Sequence, residues 1–508
     1  MPRRRARLAT LLLALACGGG EPATVPEGTL PDLDPRAYAQ GVTLHAHHFP
    51  GENRPGKMQM MVHGDRRYLF QLVFPTDTWD FLRSQGQILD VTDPLAPVVV
   101  NEDAFFAFSI NVAWHDASRR WVLMESRTTF GDPEWWAPGV RGVRFLDVTD
   151  PTDVREISAY STDGGDPDRV VQGGSGTHRD YWDGGRYAYL GAAPGDDFYD
   201  PERVDGWARY SRSLQVLDLA DLAAPKLAGR WWVPGQRRDE AEARAAWRSA
   251  GDPRAYDNFH GPLYVPRRVE DGGRYGYGGW GTFGVLIHDL RDPTQPKLVG
   301  HWDTPAYVPG PMMPHHTVDP SRLGRGFVIA SPESMATECQ ETWHDSWIVD
   351  VRDPAKPRAV AKLPVPKPPA DAGFESWCAR RGRFGPHNGP HVKAPGRPHP
   401  DLTAYTYFNA GLQLFDLSDP EHPRNSGWFV PAQAGRLEEP ETYARGSDSV
   451  FVEWDRRLLW LATNDGLYLL STPQLGEPVL GPLPVSEWSL PGVNVGHPPE
   501  PATAAAAD

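Results

Sequence analysis

Histidine recurs at one place in a repeating pattern along this 508-residue chain. GTHRDYW (His178), NFHGPLY (His260), PHHTVDP (His315 and His316) and FGPHNGPHV (His387 and His391) each set one or two imidazoles at the head of a candidate strand. Neutral imidazole is the commonest protein ligand for transition metals. Three or four converging rings suit Zn, Cu, Fe or Mn, with a carboxylate completing the sphere. Glu333, two residues past the apolar run FVIAS, is the carboxylate in reach. His260, His316, His387 and His391 rank first as metal ligands, with His178, His315 and Glu333 behind them. For any single ring, a hydrogen bond to backbone between neighbouring elements is an equally good reading. The case for metal therefore rests on convergence.

The elements that must bring these rings together are written in the sequence as a repeat. ILDVTDPLAP (from Ile88), FLDVTDPTDV (Phe145), VLDLADLAAP (Val216), LIHDLRDPTQP (Leu286), IVDVRDPAKP (Ile348) and LFDLSDPEHP (Leu414) are six copies of one sentence, and LYLLSTPQLGEP (Leu467) is a worn seventh. The unit is roughly 45–70 residues, in the range of propeller blades. In each copy an apolar run makes a strand. Asp-x-x-Asp-Pro then ends it, because Asp folds its carboxylate onto nearby N–H groups and Pro cannot donate to a ladder. A further strand leaves the turn, as in KLAGRWWVP from Lys226, and a strand–turn–strand pair precedes each copy. Four strands per unit predict an all-β chain, a seven-bladed β-propeller of four-stranded antiparallel blades. Two stacked β-sandwiches are the alternative.

The motif resembles that of the LVIVD-repeat family, an aliphatic run closed by Asp-aliphatic-x-Asp-Pro-x-x-Pro, over about residues 58–483. Copy two has Val154 in place of the final Pro, and copy three has Leu222 where Pro is usual. The resemblance implies the seven-bladed propeller and little about activity, since one fold hosts many functions. Repeats of that family often carry a His at the start of the first strand, which favours a structural role for His178 and His316.

In a propeller the turns joining strands one to two and three to four share one face, and the other connections share the opposite face. Here the first class is short throughout, and every long segment falls in the second. Stretches from Arg127, Ala193 and Ser331 and the connections 232–257, 364–386 and 431–446 all lie there, with helix-forming composition over 238–249. Long loops on a rigid scaffold are where binding and catalysis concentrate. The candidate ligands enter from this face, whereas His63 and His115 sit at the short-turn end and are excluded. His45, His47 and His48, in VTLHAHHFP, read as a strand that closes the ring against the last repeat. Trp135, Trp136, Phe198, Tyr199, Trp207, Trp247, Trp343 and Trp377 fall in the long loops, where rings grip a protein, peptide or glycan partner or plug small satellite cores.

Arg3, Arg4, Arg5 and Arg7 precede the apolar run Leu8 to Ala16, a secretory signal too short to span a bilayer. Ala14-Leu15-Ala16-Cys17 resembles a bacterial lipobox, with Ala14 where Leu is commoner; an ordinary cleaved signal with an incidental Cys is the alternative. The expected organisation is a signal over 1–16, a lipidated flexible tether over 17–40 starting at Cys17, a propeller over 41–483 and a disordered tail over 484–508. The protein is then exported to the cell envelope, with the lipid its sole membrane anchor. Cys339 and Cys378 remain, most simply a disulfide in an oxidising compartment, worth roughly 3–4 kcal/mol.

Losing residues 1–16 removes four Arg and no acid, leaving 47 basic against 66 acidic residues, a formal charge of −19. That argues against nucleic-acid binding. No nucleophile elbow, phosphate-binding loop, HExxH or dinucleotide fingerprint occurs, so no nucleotide cofactor is expected. The acidic GDDFYDPE from Gly195 could hold calcium, but its spacing is no recognisable EF-hand loop. Two functional classes remain: a tethered binding propeller whose metal is structural, and a metal-dependent oxidoreductase or hydrolase using the His cluster.

Overall fold

The computed structural model describes residues 32–51, 54–74, 84–107, 109–127, 141–166, 174–198, 212–243, 259–304, 313–343, 345–390, 393–435 and 446–483. The expected signal over 1–16, Cys17, most of the expected tether, His391 and the expected tail over 484–508 lie outside them.

Seven antiparallel sheets surround a central channel. Blade 1 is β3 (Arg54–His63), β4 (Arg66–Phe74), β5 (Gln85–Asp90) and β6 (Val98–Phe105). Blade 2 is β7 (Ser109–His115), β8 (Arg120–Ser126), β9 (Gly142–Asp147) and β10 (Arg155–Ser161). Blade 3 is β11 (Gly176–Tyr181), β12 (Tyr187–Ala193), β13 (Ser213–Asp218) and β14 (Lys226–Trp231). Blade 4 has β15 (Tyr275–Gly279), β16 (Val285–Asp289) and β17 (Lys297–Trp302). Blade 5 is β18 (Met313–Asp319), β19 (Phe327–Glu333), β20 (Trp347–Asp350) and β21 (Arg358–Lys362). Blade 6 has β22 (Leu402–Thr406), β23 (Leu412–Asp416) and β24 (Arg424–Val430), with β1 (Tyr38–Gln40) added outside. Blade 7 is β25 (Ser447–Glu453), β26 (Leu458–Thr463), β27 (Gly466–Ser471) and, closing the ring, β2 (Thr43–His48).

The innermost positions of blades 4 and 6 depart from a regular strand. In blade 4 the place is taken by 259–265, joined to β15 by a Tyr264–Tyr277 bridge. In blade 6 it is taken by 386–390, where the His387 amide donates to Thr406 O and the Thr406 amide to Asn388 O. Pro262, Pro386 and Pro390 supply no N–H, which explains why these segments cannot run as full ladders.

The repeated Asp residues end equivalent strands, and each folds back as expected. Asp90, Asp147, Asp218, Asp289, Asp350 and Asp416 accept from the amide two residues on at 2.8–3.1 Å. The second Asp of each copy does the same, as Asp93 from Leu95 and Asp353 from Ala355. The turns also lock neighbouring blades together. A Cβ on Gly229 would lie 2.3 Å from Pro293 O, and one on Gly300 1.9 Å from Pro354 O, so β14 and β17 need glycine where the next blade's turn docks.

One feature revises the expected organisation. Residues 34–40, expected to be flexible, are packed on the propeller: the Asp34 amide donates to Gln433 Oε1, Tyr38 packs edge-on against Trp377, and β1 pairs with β24. Of the helix-forming stretch 238–249, residues 241–243 are helical and 244–249 lie outside the described residues.

Blades 7 and 1 share a buried ionic lock. Arg67 on β4 reaches Glu453 at 2.5 Å and Asp455 at 2.6 Å, and Arg456 donates to Val91 O and Thr92 O. Arg67→Met would leave Glu453 with only Arg456 and Trp460 beside it among the described residues and take from Asp455 its bidentate partner, and should cost about 3–5 kcal/mol; equal urea midpoints for wild type and variant would refute that role.

His288 takes the aliphatic place of the fourth copy. It is fully buried between Trp231 and Trp280, and neither ring nitrogen has a hydrogen-bond partner among the described residues. Burial pushes its pKa down to about 3. The folded state thus binds fewer protons here than the unfolded chain, and the stability this represents is lost as pH falls from about 6.5 toward 3. Between pH 7 and pH 5 the loss is about 2 kcal/mol. His288→Leu should flatten that part of the acid-unfolding curve, measured by denaturant midpoint against pH.

Candidate metal centre

Each inner segment starts at the long-loop face, so residues near its head collect around the channel mouth. His178 comes from blade 3, His260 from blade 4, His316 from blade 5 and His387 from blade 6, and Glu333 ends β19 beside them. The cluster is buried: His316 is 0% exposed, His387 2%, His178 3%, and His260 and Glu333 6% each.

The rings form a row. Nε2 of His178 and Nε2 of His260 are 3.0 Å apart, and ring centroids step 4.3, 4.4 and 5.2 Å from His178 through His260 and His316 to His387. The Glu333 carboxylate faces the last three. Oε2 lies 3.2 Å from His316 Nε2 and 3.8 Å from His260 Nε2, and Oε1 lies 3.5 Å from His387 Nε2. One ligand atom each from His260, His316 and Glu333 fall within 4.8 Å of one another. The His316–Glu333 approach is close but misaligned, so Nε2 of His316 has no hydrogen-bond partner among the described residues, nor has Nδ1 of His260. Buried orphan atoms of this kind cost about 1–3 kcal/mol each unless something else satisfies them.

Electrostatics keep the rings in the ligating form. Burial lowers all four, with cationic neighbours adding to it: His316 goes down to about 3, and His178, His260 and His387 go well below the usual imidazole range. Burial opposes ionisation of Glu333, but His387, His316 and the Arg383 guanidinium outweigh it and hold the carboxyl well below its usual range. Arg383 is the permanent charge among these, 3.1 Å from Oε1. An ionised carboxylate among neutral imidazoles is the donor set that a divalent ion needs.

His315 does not belong to the cluster. Alternation along β18 turns it the other way, against Trp302, with Nε2 3.1 Å from Asp303 and 3.0 Å from Thr304 Oγ1. His178 meets the cluster through His260. The sequence reading missed Arg383, which anchors Glu333, and Asp448, whose carboxylate and carbonyl oxygens lie 3.7 and 3.2 Å from His387 Nδ1. Nothing in either local sequence marks it; both are neighbours only across blades.

The two loops that carry Glu333 and His387 are stitched together. Cys339 and Cys378 form a disulfide spanning 39 residues. The Glu338 amide donates to Gly382 O, the Gly382 amide to Glu338 Oε1, and Thr337 bridges Arg383. Among the loop aromatics, Trp377 and Phe198 are buried plugs rather than exposed rings.

No family model and no curated protein sequence matches the chain. Among solved structures it is similar to the β-propeller domain of Cps50 (Swd1) from Myceliophteria thermophila, at 11% identity and TM-score 0.45, over 85% of this chain and 99% of that one. It is also similar to Raptor from Chaetomium thermophilum, at 12% identity and TM-score 0.42, over 88% of this chain and 29% of that one. Likeness at this level says nothing of ligand or activity.

Replacing both Cys339 and Cys378 by Ser should lower stability by about 4 kcal/mol from loop closure alone. Limited proteolysis should then cut within 334–346 before the blades unfold. Cleavage that begins elsewhere in both proteins would show that the bridge does not hold these loops.

Proposed function

We propose that this chain is an exported, lipid-anchored member of the LVIVD-repeat propellers that binds one divalent transition metal at the channel mouth and presents its long-loop face to a protein, peptide or glycan. The observation that carries the metal is the convergence of His260, His316 and Glu333 in a buried space where an imidazole nitrogen lacks a hydrogen bond. Two imidazoles and one carboxylate suit Zn, Fe or Mn, and His178 and His387 flank the set on either side. Export is supported by the signal-like N-terminus and the disulfide, since bridges persist in oxidising compartments. The Asp-turn chemistry of all six copies supports the family.

A second reading, a metal-dependent oxidoreductase or hydrolase, is favoured by one feature. Three protein ligands leave a coordination position open, and a cavity of the channel adjoins the cluster through Thr317 and Asn388. In that reading His260, His316 and Glu333 would hold a metal able to supply Lewis-acid polarisation of a water or substrate oxygen, while Arg383 keeps Glu333 in place.

Elemental analysis of protein purified without a histidine tag is the deciding experiment. About one equivalent of a transition metal is expected, falling at least tenfold in a His260→Ala, His316→Ala double variant that keeps the wild-type circular dichroism spectrum. Absence of stoichiometric metal, both as purified and after dialysis against Zn²⁺ or Mn²⁺, would overturn the metal reading.

A further inference from the structure

Directly inside the cluster the channel opens into a well walled by all seven blades. Its lining includes Lys57, Gln59, Asn111, Arg179, Thr317 and Asn388, from blades 1, 1, 2, 3, 5 and 6. Thr317 and Asn388 reach rings of the cluster with their side chains, so the two spaces adjoin. Thr317 Oγ1 lies 2.6 Å from His316 Nδ1. Water centres have about 60 Å³ in the well, enough for about four to six waters or a solute of about that many non-hydrogen atoms.

The wall has a polarity at odds with the acidic surface. Arg179 reaches across the channel to Asn388 Oδ1 at 3.0 Å, and Lys57 stands 3.9 Å from Asp448. Asn388 Nδ2 is 3.0 Å and Asp448 Oδ1 3.7 Å from His387 Nδ1, which places both cations at the cluster end. The carboxylates are arranged differently. Asp180 is turned into its blade, accepting from Ser126 Oγ and the Gly191 amide. Asp319 lies three residues beyond His316, about 10 Å along the strand. Amides that line the well are locked by their neighbours: Gln59 between Ile110 and Val112, and Asn111 between Asp180 O and the Lys393 ammonium. Lys393 also donates to Trp182 O at 2.6 Å, tying blade 6 to blade 3 near the short-turn end.

We infer that this well binds a small oxyanion, a carboxylate or phosphate of four to six non-hydrogen atoms, through Arg179 and Lys57 beside the histidine row. A guanidinium with five donors and an ammonium with three can serve their protein neighbours and a solute oxygen together. Narrow walls favour a compact anion over a chain-like one. The site does not depend on metal at the cluster, although a cation there would strengthen it.

Titration calorimetry on the full chain, metal-depleted and metal-loaded, tests this with acetate and inorganic phosphate, and with acetamide as the neutral match for acetate. At least one anion should bind saturably at a single site in the millimolar range or tighter, and acetamide should not. Arg179→Gln should weaken binding about tenfold to a hundredfold, and Lys57→Met, which removes a partly exposed side chain, should weaken it without unfolding risk. Metal content should stay unchanged in Lys57→Met. No saturable heat with either anion, equal binding of acetamide, or wild-type affinity in both variants would overturn the inference. Anion binding by protein that takes up no metal would leave it standing and remove only the metal proposal.

Discussion

Everything in this molecule depends on closing the ring. A blade buries its faces only against its two neighbours, so an open array would leave one apolar face wet at each end. Closure is achieved in two ways at the same seam. β2, from the start of the chain, pairs with β27 from its end. Arg67, Glu453 and Asp455 then form an ion pair sealed between blades 7 and 1. Such a lock contributes little net attraction once desolvation is counted, but it penalises any arrangement that separates the partners.

The ring sets the site in turn. Inner segments of successive blades converge at the channel, so residues at equivalent heights become neighbours although 56 to 82 positions apart, as His178, His260 and His316 are. Imidazoles taken singly are adequate core residues; assembled without enough hydrogen-bond partners they become an unsatisfied polar cavity. The same burial that makes them costly keeps them neutral, and Arg383 keeps Glu333 charged among them. A candidate site for a cation and two basic wall residues thus adjoin within one channel, with Glu333 on one side and Arg179 and Lys57 on the other.

Much of this was legible in the chain. The repeated Asp-x-x-Asp-Pro specifies a local turn whose hydrogen bonds span two residues, so its position, and with it the blade count and strand order, follows from sequence alone. The disulfide and the closing role of the 45–48 strand were readable because few alternatives existed. The packing of residues 34–40 was not, because Asp34 and Tyr38 are held by Gln433 and Trp377, partners remote in sequence.

For the site, residue types and height along the blade were determined by sequence, since the imidazoles sit at the heads of inner segments. Which of them meet was decided by tertiary structure. Adjacent residues on a strand face opposite ways, so of the pair His315 and His316 only one joins the cluster, and which one depends on how β18 is set in its blade. The irregular blade 6 segment hid the register of His387. Arg383, Asp448, Lys57 and Arg179 gained their roles only through contacts between blades, which no local pattern records.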